Sequence, residues 1–309
     1  MIASQGLSLR KIRAIALLLA ALSLLVVLLS AYLRLDGAGL GCVDWPACYG
    51  RWLAREPAAQ QFGPVRLLHR VGASLSLLLA CILVWHCWRR PAIRPAARPA
   101  TLLLLLMLAL SALGIWSADP RLTLVGFLNI LGGLGLVTFS WRVVLASRTE
   151  SMMQRPTAPT RLLRFGAALL SLTVVLGAMI GASYAALACN TVPDCAGRWW
   201  PGMDGWAVLK PFPTLVAVPQ AGDPGSLSLH LLHRYAAFGT LLVLGAAALQ
   251  VLGDEQRRKA ALLLLLLLTS EITLGAVTVL SGFTLWLAIG HGVCAAALLA
   301  TLATLLRRV

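Results

Sequence analysis

The sequence predicts an all-α membrane protein whose eight transmembrane helices form two tandem four-helix bundles, related by a pseudo-twofold axis along the membrane normal. Three observations predict it. Of the 309 residues, 59% are hydrophobic and 12% charged, with mean hydropathy +0.85, whereas a soluble globular chain carries about 25% charged residues. Apolar runs of about 20 residues, enough to cross a hydrocarbon core about 30 Å thick as helix, recur along the whole chain. The second half also repeats the motifs of the first.

The runs fall near 14–33, 67–88, 100–117, 122–141, 164–187, 228–252, 260–281 and 284–306. The first follows Arg10, Lys11 and Arg13 as a signal peptide would. It is too long for a signal h-region and no clean small-residue cleavage site follows, so it reads as a membrane helix. The second opens on Leu67-Leu68-His69-Arg70. Leu102 to Leu106 in the third and Leu262 to Leu268 in the seventh show no strand-like alternation. Hydrocarbon admits only helices or closed barrels, which leaves helices. The fourth carries Asn129 ahead of Gly132, Gly133 and Gly135; the sixth carries His230 and His233, the seventh Glu271, the eighth His291.

A net charge of +15 invites a nucleic-acid reading, but its distribution argues for topology instead. With the N-terminus cytoplasmic, segments 1–13, 89–99, 142–164, 253–259 and 307–309 lie inside and hold most of the 26 Lys and Arg. That is the positive-inside bias. Arg89, Arg90, Arg94 and Arg98 then face anionic lipid, and no nucleic-acid partner is expected. The expected setting is a bacterial-type inner membrane with both termini cytoplasmic. Cys42, Cys48, Cys189 and Cys195 fall in outer loops, where an oxidising space lets disulfides persist; disulfides Cys42–Cys48 and Cys189–Cys195 are expected. Cys81, Cys87 and Cys294 read as small apolar packing residues.

The duplication is explicit. Cys42-Val-Asp-Trp-Pro-Ala-Cys48-Tyr-Gly-Arg-Trp52 is echoed by Cys189-Asn-Thr-Val-Pro-Asp-Cys195-Ala-Gly-Arg-Trp199, and Leu67-Leu68-His69-Arg70 by Leu231-Leu232-His233-Arg234. Further on, Asn129 and His291 occupy matching places. Four spans per half make both halves enter the membrane from the same side. The expected units are 1–150 and 151–309, joined through the Pro- and Arg-bearing stretch 142–164.

Ionisable residues inside a span are costly and mark function by default. His233 and His291 lie at similar depth on different helices of one half, which suits two axial ligands to a haem held between bundle helices. Zinc would need a third or fourth ligand; His230 is the nearest candidate. A purely structural role also fits these histidines, His230 above all, and His86 at the inner boundary reads as interfacial. Trp45, Trp52, Trp199, Trp200 and Trp206 form an aromatic belt or cap a flat ligand. The Gly132–Gly135 face serves a macrocycle or plain helix packing. Arg70 and Arg234 are candidate propionate partners or interfacial anchors.

The paired Cys loops with His-Arg helices resemble the haem A synthase family, the haem O oxygenases of cytochrome oxidase assembly. Gly-Leu-Gly-Cys42 through Cys48-Tyr-Gly is similar to that family's first outer loop, and Tyr184 through Met203-Asp204 to its third. His230-Leu-Leu-His233-Arg234 and Gly290-His291 resemble its ligand-bearing sixth and eighth helices. The resemblance covers nearly the whole chain. It implies an oxidoreductase with a haem b cofactor on His233 and His291, and haem O as substrate in the N-terminal bundle at His69. The C8 methyl of haem O would be oxidised by successive hydroxylations to a formyl group. It also implies an electron donor, and contacts with haem O synthase or oxidase assembly factors. The departures lie in the N-terminal half. The family's glutamate three residues before the first histidine is Arg66 here, leaving Glu56 as the nearest upstream acid. Its fourth-helix histidine is Asn129, and a frequent third-helix glutamine is Ser111. The alternatives are a non-catalytic haem-binding assembly protein and a transmembrane haem electron carrier.

Overall fold

The computed structural model describes residues 2–37, 63–89, 91–117, 119, 121–147, 161–203, 205–206, 219 and 222–307. Cys42, Trp45, Cys48, Trp52 and Glu56 lie outside the described residues. The described chain is helical, with eight long helices: α1 (Ile2–Gly37), α2 (Gly63–Arg89), α3 (Ala97–Leu113), α4 (Thr123–Ala146), α5 (Arg161–Ala182), α6 (Pro224–Val251), α7 (Glu255–Leu280) and α8 (Leu285–Leu305). All eight are long and apolar enough to cross a membrane, so the chain is a multi-pass membrane protein.

Local chemistry sets the helix ends. Pro91 and Pro95 keep the approach to α3 in a 3-10 turn. Pro224 sits in the first turn of α6, where its missing N–H costs nothing, and Asp223 caps that turn by accepting from Ser226 N–H at 2.8 Å. Asp254 does the same for α7 through Gln256 N–H at 3.0 Å. Between α7 and α8 the chain reverses through Gly282 and Phe283, both with positive φ.

Two of the sequence-predicted spans are displaced. The run 164–187 stops being α-helix at Ala182: Tyr184 takes a left-handed conformation and Ala185–Ala188 form a 3-10 turn. That turn is as apolar as the helix before it, so hydropathy cannot separate them. The run 100–117 becomes Ala97–Leu113, with turns from Gly114 onward.

Polar residues inside the spans are satisfied locally. Ser76, Ser111, Thr138, Ser171 and Thr240 donate to carbonyls one turn back at 2.8–2.9 Å. This hides hydroxyls from hydrocarbon without a partner helix. A few reach across: Ser23 to Ser140 at 2.9 Å joins α1 and α4, Thr173 to Thr240 at 2.9 Å joins α5 and α6, and Trp141 donates to Thr304 at 2.8 Å, joining α4 and α8.

The buried apolar residues form one large cluster from α1–α4, including Leu19, Leu83, Leu103 and Val143, and another from α5–α8, including Leu163, Leu244, Leu264 and Leu298. A smaller cluster of Leu134, Val137 and Ala296 connects them across α4 and α8. Each of α1–α4 packs on two neighbours within that set, while α5 to α8 pack in chain order and α4 also touches α5 and α8. Many leucines, such as Leu67, Leu78, Leu105, Leu242 and Leu266, face outward, as a hydrocarbon solvent allows. The glycines of α4 serve packing: a Cβ on Gly132 or Gly135 would meet Leu110 or Leu106 of α3, and one on Gly133 would meet Val27 of α1. Cys87 and Cys294 are buried and Cys81 is exposed.

Candidate functional site

His233 lies in the third turn of α6, and His291 in the second turn of α8. α7 follows one of these helices and precedes the other, so the two imidazoles approach across a bundle rather than along an adjacent pair. Their ring centroids are 6.4 Å apart, with planes at 83°. A metal–imidazole bond of about 2.0–2.1 Å on each side puts two axial rings about 6 Å apart, so the spacing fits an iron between them.

The surroundings of the two rings follow one pattern. His233 Nδ1 is 3.0 Å from the Thr173 carbonyl on α5, and a Cβ on Gly177, one turn further, would stand 3.0 Å from its Cε1. His291 Nδ1 is 3.3 Å from Glu271 Oε1 on α7, and a Cβ on Gly275, again one turn further, would stand 3.2 Å from its Cε1. Each ring is thus seated on a glycine with an oxygen near Nδ1, hydrogen-bonded at His233 and only close by at His291. An Nδ1–H aimed at that oxygen would leave Nε2 free to ligate a metal. His291 Nδ1 and Glu271 Oε2 are buried without a hydrogen-bond partner. A bis-imidazole haem fits these residues. Zinc would want further ligands, and among the described residues no group of three or more His, Cys, Asp or Glu is arranged to hold a metal ion.

His230 is buried and belongs to the scaffold. Its Nε2 bonds the Ala185 carbonyl at 2.9 Å, tying the 3-10 turn after α5 to α6, and Phe283 meets its ring edge-on at 6.1 Å. Arg234 donates through Nη1 to the Pro193 carbonyl at 3.2 Å and to the Asp194 carbonyl, and through Nη2 to Cys189 Sγ at 2.9 Å. It therefore grips the loop joined by the Cys189–Cys195 disulfide, whose Cα atoms are 5.1 Å apart. Tyr235, the next residue, donates to the Trp199 carbonyl, and its ring lies 5.7 Å from that of Trp200. Inside the loop, the Asp194 carboxylate accepts from Gly197 N–H at 2.6 Å and from the Thr191 hydroxyl at 3.0 Å. These bonds hold its pKa below the usual carboxylate value.

In the other half, His69 and Asn129 each stand in the second turn of their helices, α2 and α4. Both are partly exposed, and Arg70 is exposed. Arg66 is partly buried on the turn before His69. Ser111 donates to its own helix at Met107. His86 lies in the last turn of α2, at the opposite end from His69. Sequence reasoning missed Thr173, Gly177 and Gly275. The signal was there in Thr173-Val-Val-Leu-Gly177 and Glu271-Ile-Thr-Leu-Gly275, two helices that share an acceptor and a glycine at i, i+4 spacing.

Fold and site together define a multi-pass helical membrane protein that presents paired imidazoles from non-adjacent helices. Residues 13–63 and 71–303 match the family described as cytochrome oxidase assembly protein, COX15-CtaA, and the chain belongs to that family. It is 32% identical over 313 residues to a heme A synthase of Shewanella oneidensis, covering 92% of both chains. It is 37% identical over 131 residues to a heme A synthase of Symbiobacterium thermophilum, covering 41% of this chain and 39% of that one. A shorter stretch of 105 residues is 31% identical to a protoheme IX farnesyltransferase of Thermus thermophilus, covering 31% of this chain and 17% of that one.

Proposed function

We propose that this chain is a haem A synthase, a membrane oxidoreductase that converts the C8 methyl of haem O to a formyl group. The single observation that carries the reading is the facing His233–His291 pair, 6.4 Å between centroids, in a chain similar along 92% of its length to a heme A synthase. His233 and His291 hold the iron of a resident haem b, and Gly177 and Gly275 give their rings room. The Thr173 carbonyl fixes the ring of His233, and the Arg234 clamp shapes the loop at the near end of α6. The haem supplies one-electron chemistry and the protein supplies orientation.

The N-terminal half takes the substrate haem O, with His69 as its iron ligand and Asn129 facing the second side without ligating. A five-coordinate iron keeps one position open, which an oxygenase requires and a bis-histidine electron carrier lacks. The two halves stand as tandem four-helix bundles with both termini cytoplasmic in a bacterial inner membrane, as the Lys and Arg distribution supports. The test is to purify the protein from cells supplied with haem O, extract the haems and identify them. Haem b with haem A formed from haem O is the expected result. Haem b alone, with haem O unchanged in the presence of reductant and oxygen, rejects synthase activity. Asn129 in place of a histidine favours one second reading, a non-catalytic haem-binding assembly protein, which that negative result would select.

A further inference from the structure

The α2–α3 hairpin carries cations that nothing within it balances. Between Glu56 and Asp119 the sequence has no Asp or Glu. Among the described residues, neither the Arg94 nor the Arg98 side chain has a hydrogen-bond or ion-pair partner. At the turn of the hairpin lies a cleft of about 630 Å³, within the range of about 300–1,000 Å³ usual for bound small molecules. It is lined by Trp88 from the end of α2, Arg94 and Pro95 from the 3-10 turn, and Ala97 and Arg98 from the start of α3. Its aromatic wall is fixed. The Trp88 indole N–H donates to the Thr101 hydroxyl at 3.0 Å, and that hydroxyl donates to the Ala97 carbonyl at 2.9 Å. The Arg94 guanidinium stands 6.0 Å from the Trp88 ring centroid, at the outer limit of a cation–π contact. Both helices carry the cleft on into an apolar face. Leu102 and Leu105 follow Arg98 four and seven residues along α3, and Trp85 and Leu78 precede Trp88 by three and ten residues on α2. Helical spacing puts each set on one side of its helix, and all four side chains are exposed.

We propose that this cleft binds the phosphate headgroup of one anionic phospholipid, held by Arg94 and Arg98 beside the Trp88 ring, with its acyl chains along the exposed leucines of α2 and α3. A guanidinium offers a planar fork of donors that matches two phosphate oxygens and is weakly hydrated, so it gives up water readily for such a ligand. A zwitterionic lipid brings its own cation and leaves the arginines unbalanced. A headgroup with net negative charge balances them. A free anion would satisfy the same two side chains, but it would make no use of the apolar faces that begin one turn away. A basic cleft between two spans, with a tryptophan at its rim and leucines below, has the order of a phospholipid from headgroup to tail. Arg89, whose guanidinium lies 3.8 Å from the Trp85 ring centroid, adds positive charge to the same end of α2. A lipid seated here touches α2 through Trp88 and α3 through Arg98, and so fastens the hairpin at the end of α2 opposite His69.

The experiment takes the purified full chain in detergent, stripped of co-purified lipid, and titrates it with phosphatidylglycerol, phosphatidylcholine and inorganic phosphate. Native mass spectrometry counts what binds. The wild type should take one phosphatidylglycerol more tightly than any further copy, and more tightly than phosphatidylcholine. A basic side chain at an anionic membrane surface is worth about fivefold in binding. Arg94→Gln and Arg98→Gln should therefore each weaken the first site about fivefold, and the pair about 30-fold. Arg161→Gln with Arg164→Gln removes the same charge from exposed positions at the start of α5 and should leave that site unchanged. If the Arg94 and Arg98 pair does not insert, the single variants decide, since each keeps three of Arg89, Arg90, Arg94 and Arg98. Equal affinity for phosphatidylcholine, unchanged binding in the single variants, or equal weakening in the α5 pair would overturn the site. Inorganic phosphate at millimolar concentration should fail to displace the lipid; full displacement would overturn the phospholipid assignment in favour of a free anion.

Discussion

On α6, His233 has a carbonyl behind it, a glycine beside it and a second imidazole in front of it. On α2, His69 has no hydrogen bond to its ring among the described residues, and its counterpart helix offers Asn129 where α8 offers His291. The sequence repeats its His-Arg motif, but the two histidines have different surroundings. A resident cofactor calls for two fixed ligands and a closed set of supports. A molecule that must arrive, react and leave calls for one ligand and an open side. On the proposed function, this difference between His233 and His69 is what a division into cofactor and substrate sites would require.

The comparison can be broken most directly at the ligands. His233→Ala or His291→Ala should abolish the low-spin haem spectrum of the purified protein, while His69→Ala should leave it in place. Loss of that spectrum only in His69→Ala would reverse the assignment of the halves. The next effect is on turnover. His69→Ala should abolish conversion of haem O to haem A, read by haem extraction and chromatography, whereas Asn129→Ala should retain part of it. Wild-type conversion by His69→Ala would remove the substrate site from the N-terminal half.

A smaller effect is expected from the seats. Gly177→Ala places a methyl at 3.0 Å from the His233 ring, and overpacking of this kind costs about 1–3 kcal/mol. Haem retention through purification should fall while the protein still inserts. Gly239, which has no close neighbour beyond an ordinary contact, is the control: Gly239→Ala should retain haem as the wild type does. Removing the loop staple with Cys189→Ser and Cys195→Ser should cost about 2 kcal/mol by the chain-entropy argument for a short loop. A lower thermal midpoint of haem release would report it.

The smallest effect is acidic loosening of the same loop. The folded loop holds Asp194 below its ordinary value of 3.8 through Gly197 N–H and the Thr191 hydroxyl. Its contribution is therefore present above that value and lost as pH falls through the lowered one. Tryptophan emission from Trp199 and Trp200 should be flat from pH 8 to 5 and change only below about 3.8. Asp194→Asn should remove that change, and an unaltered acid transition in the variant would reassign it.

Much of this was legible in the sequence because the bilayer writes in composition. Eight spans, the repeated Cys loops and the placing of His69, His233 and His291 follow from run length and motif spacing. What lies beyond composition did not show. The end of α5 was invisible because Ala185–Ala188 are as apolar as the helix they leave. The use of Arg234 was invisible because its partners are loop carbonyls and a sulfur some 40 residues upstream, which carry no charge to attract notice. Glu271 stood out as an intramembrane acid, but only the packing of α7 on α8 names its neighbour. Of the two readings the sequence left open for Gly132, Gly133 and Gly135, room for a macrocycle or helix packing, the leucines and valine they face favour packing.

Four residues of α6 within about one and a half turns have outside attachments: His230 to the 3-10 turn, His233 to α5, Arg234 to the disulfide loop and Tyr235 to Trp199 just after it. A helix surrounded by lipid tails and leucines has little reason to prefer one azimuth about its own axis. These attachments leave the helix at different angles, since successive residues are about 100° apart, and together they key it like a shaft. α6 cannot roll without pulling the loop, so the direction in which His233 points is set partly from outside the hydrocarbon.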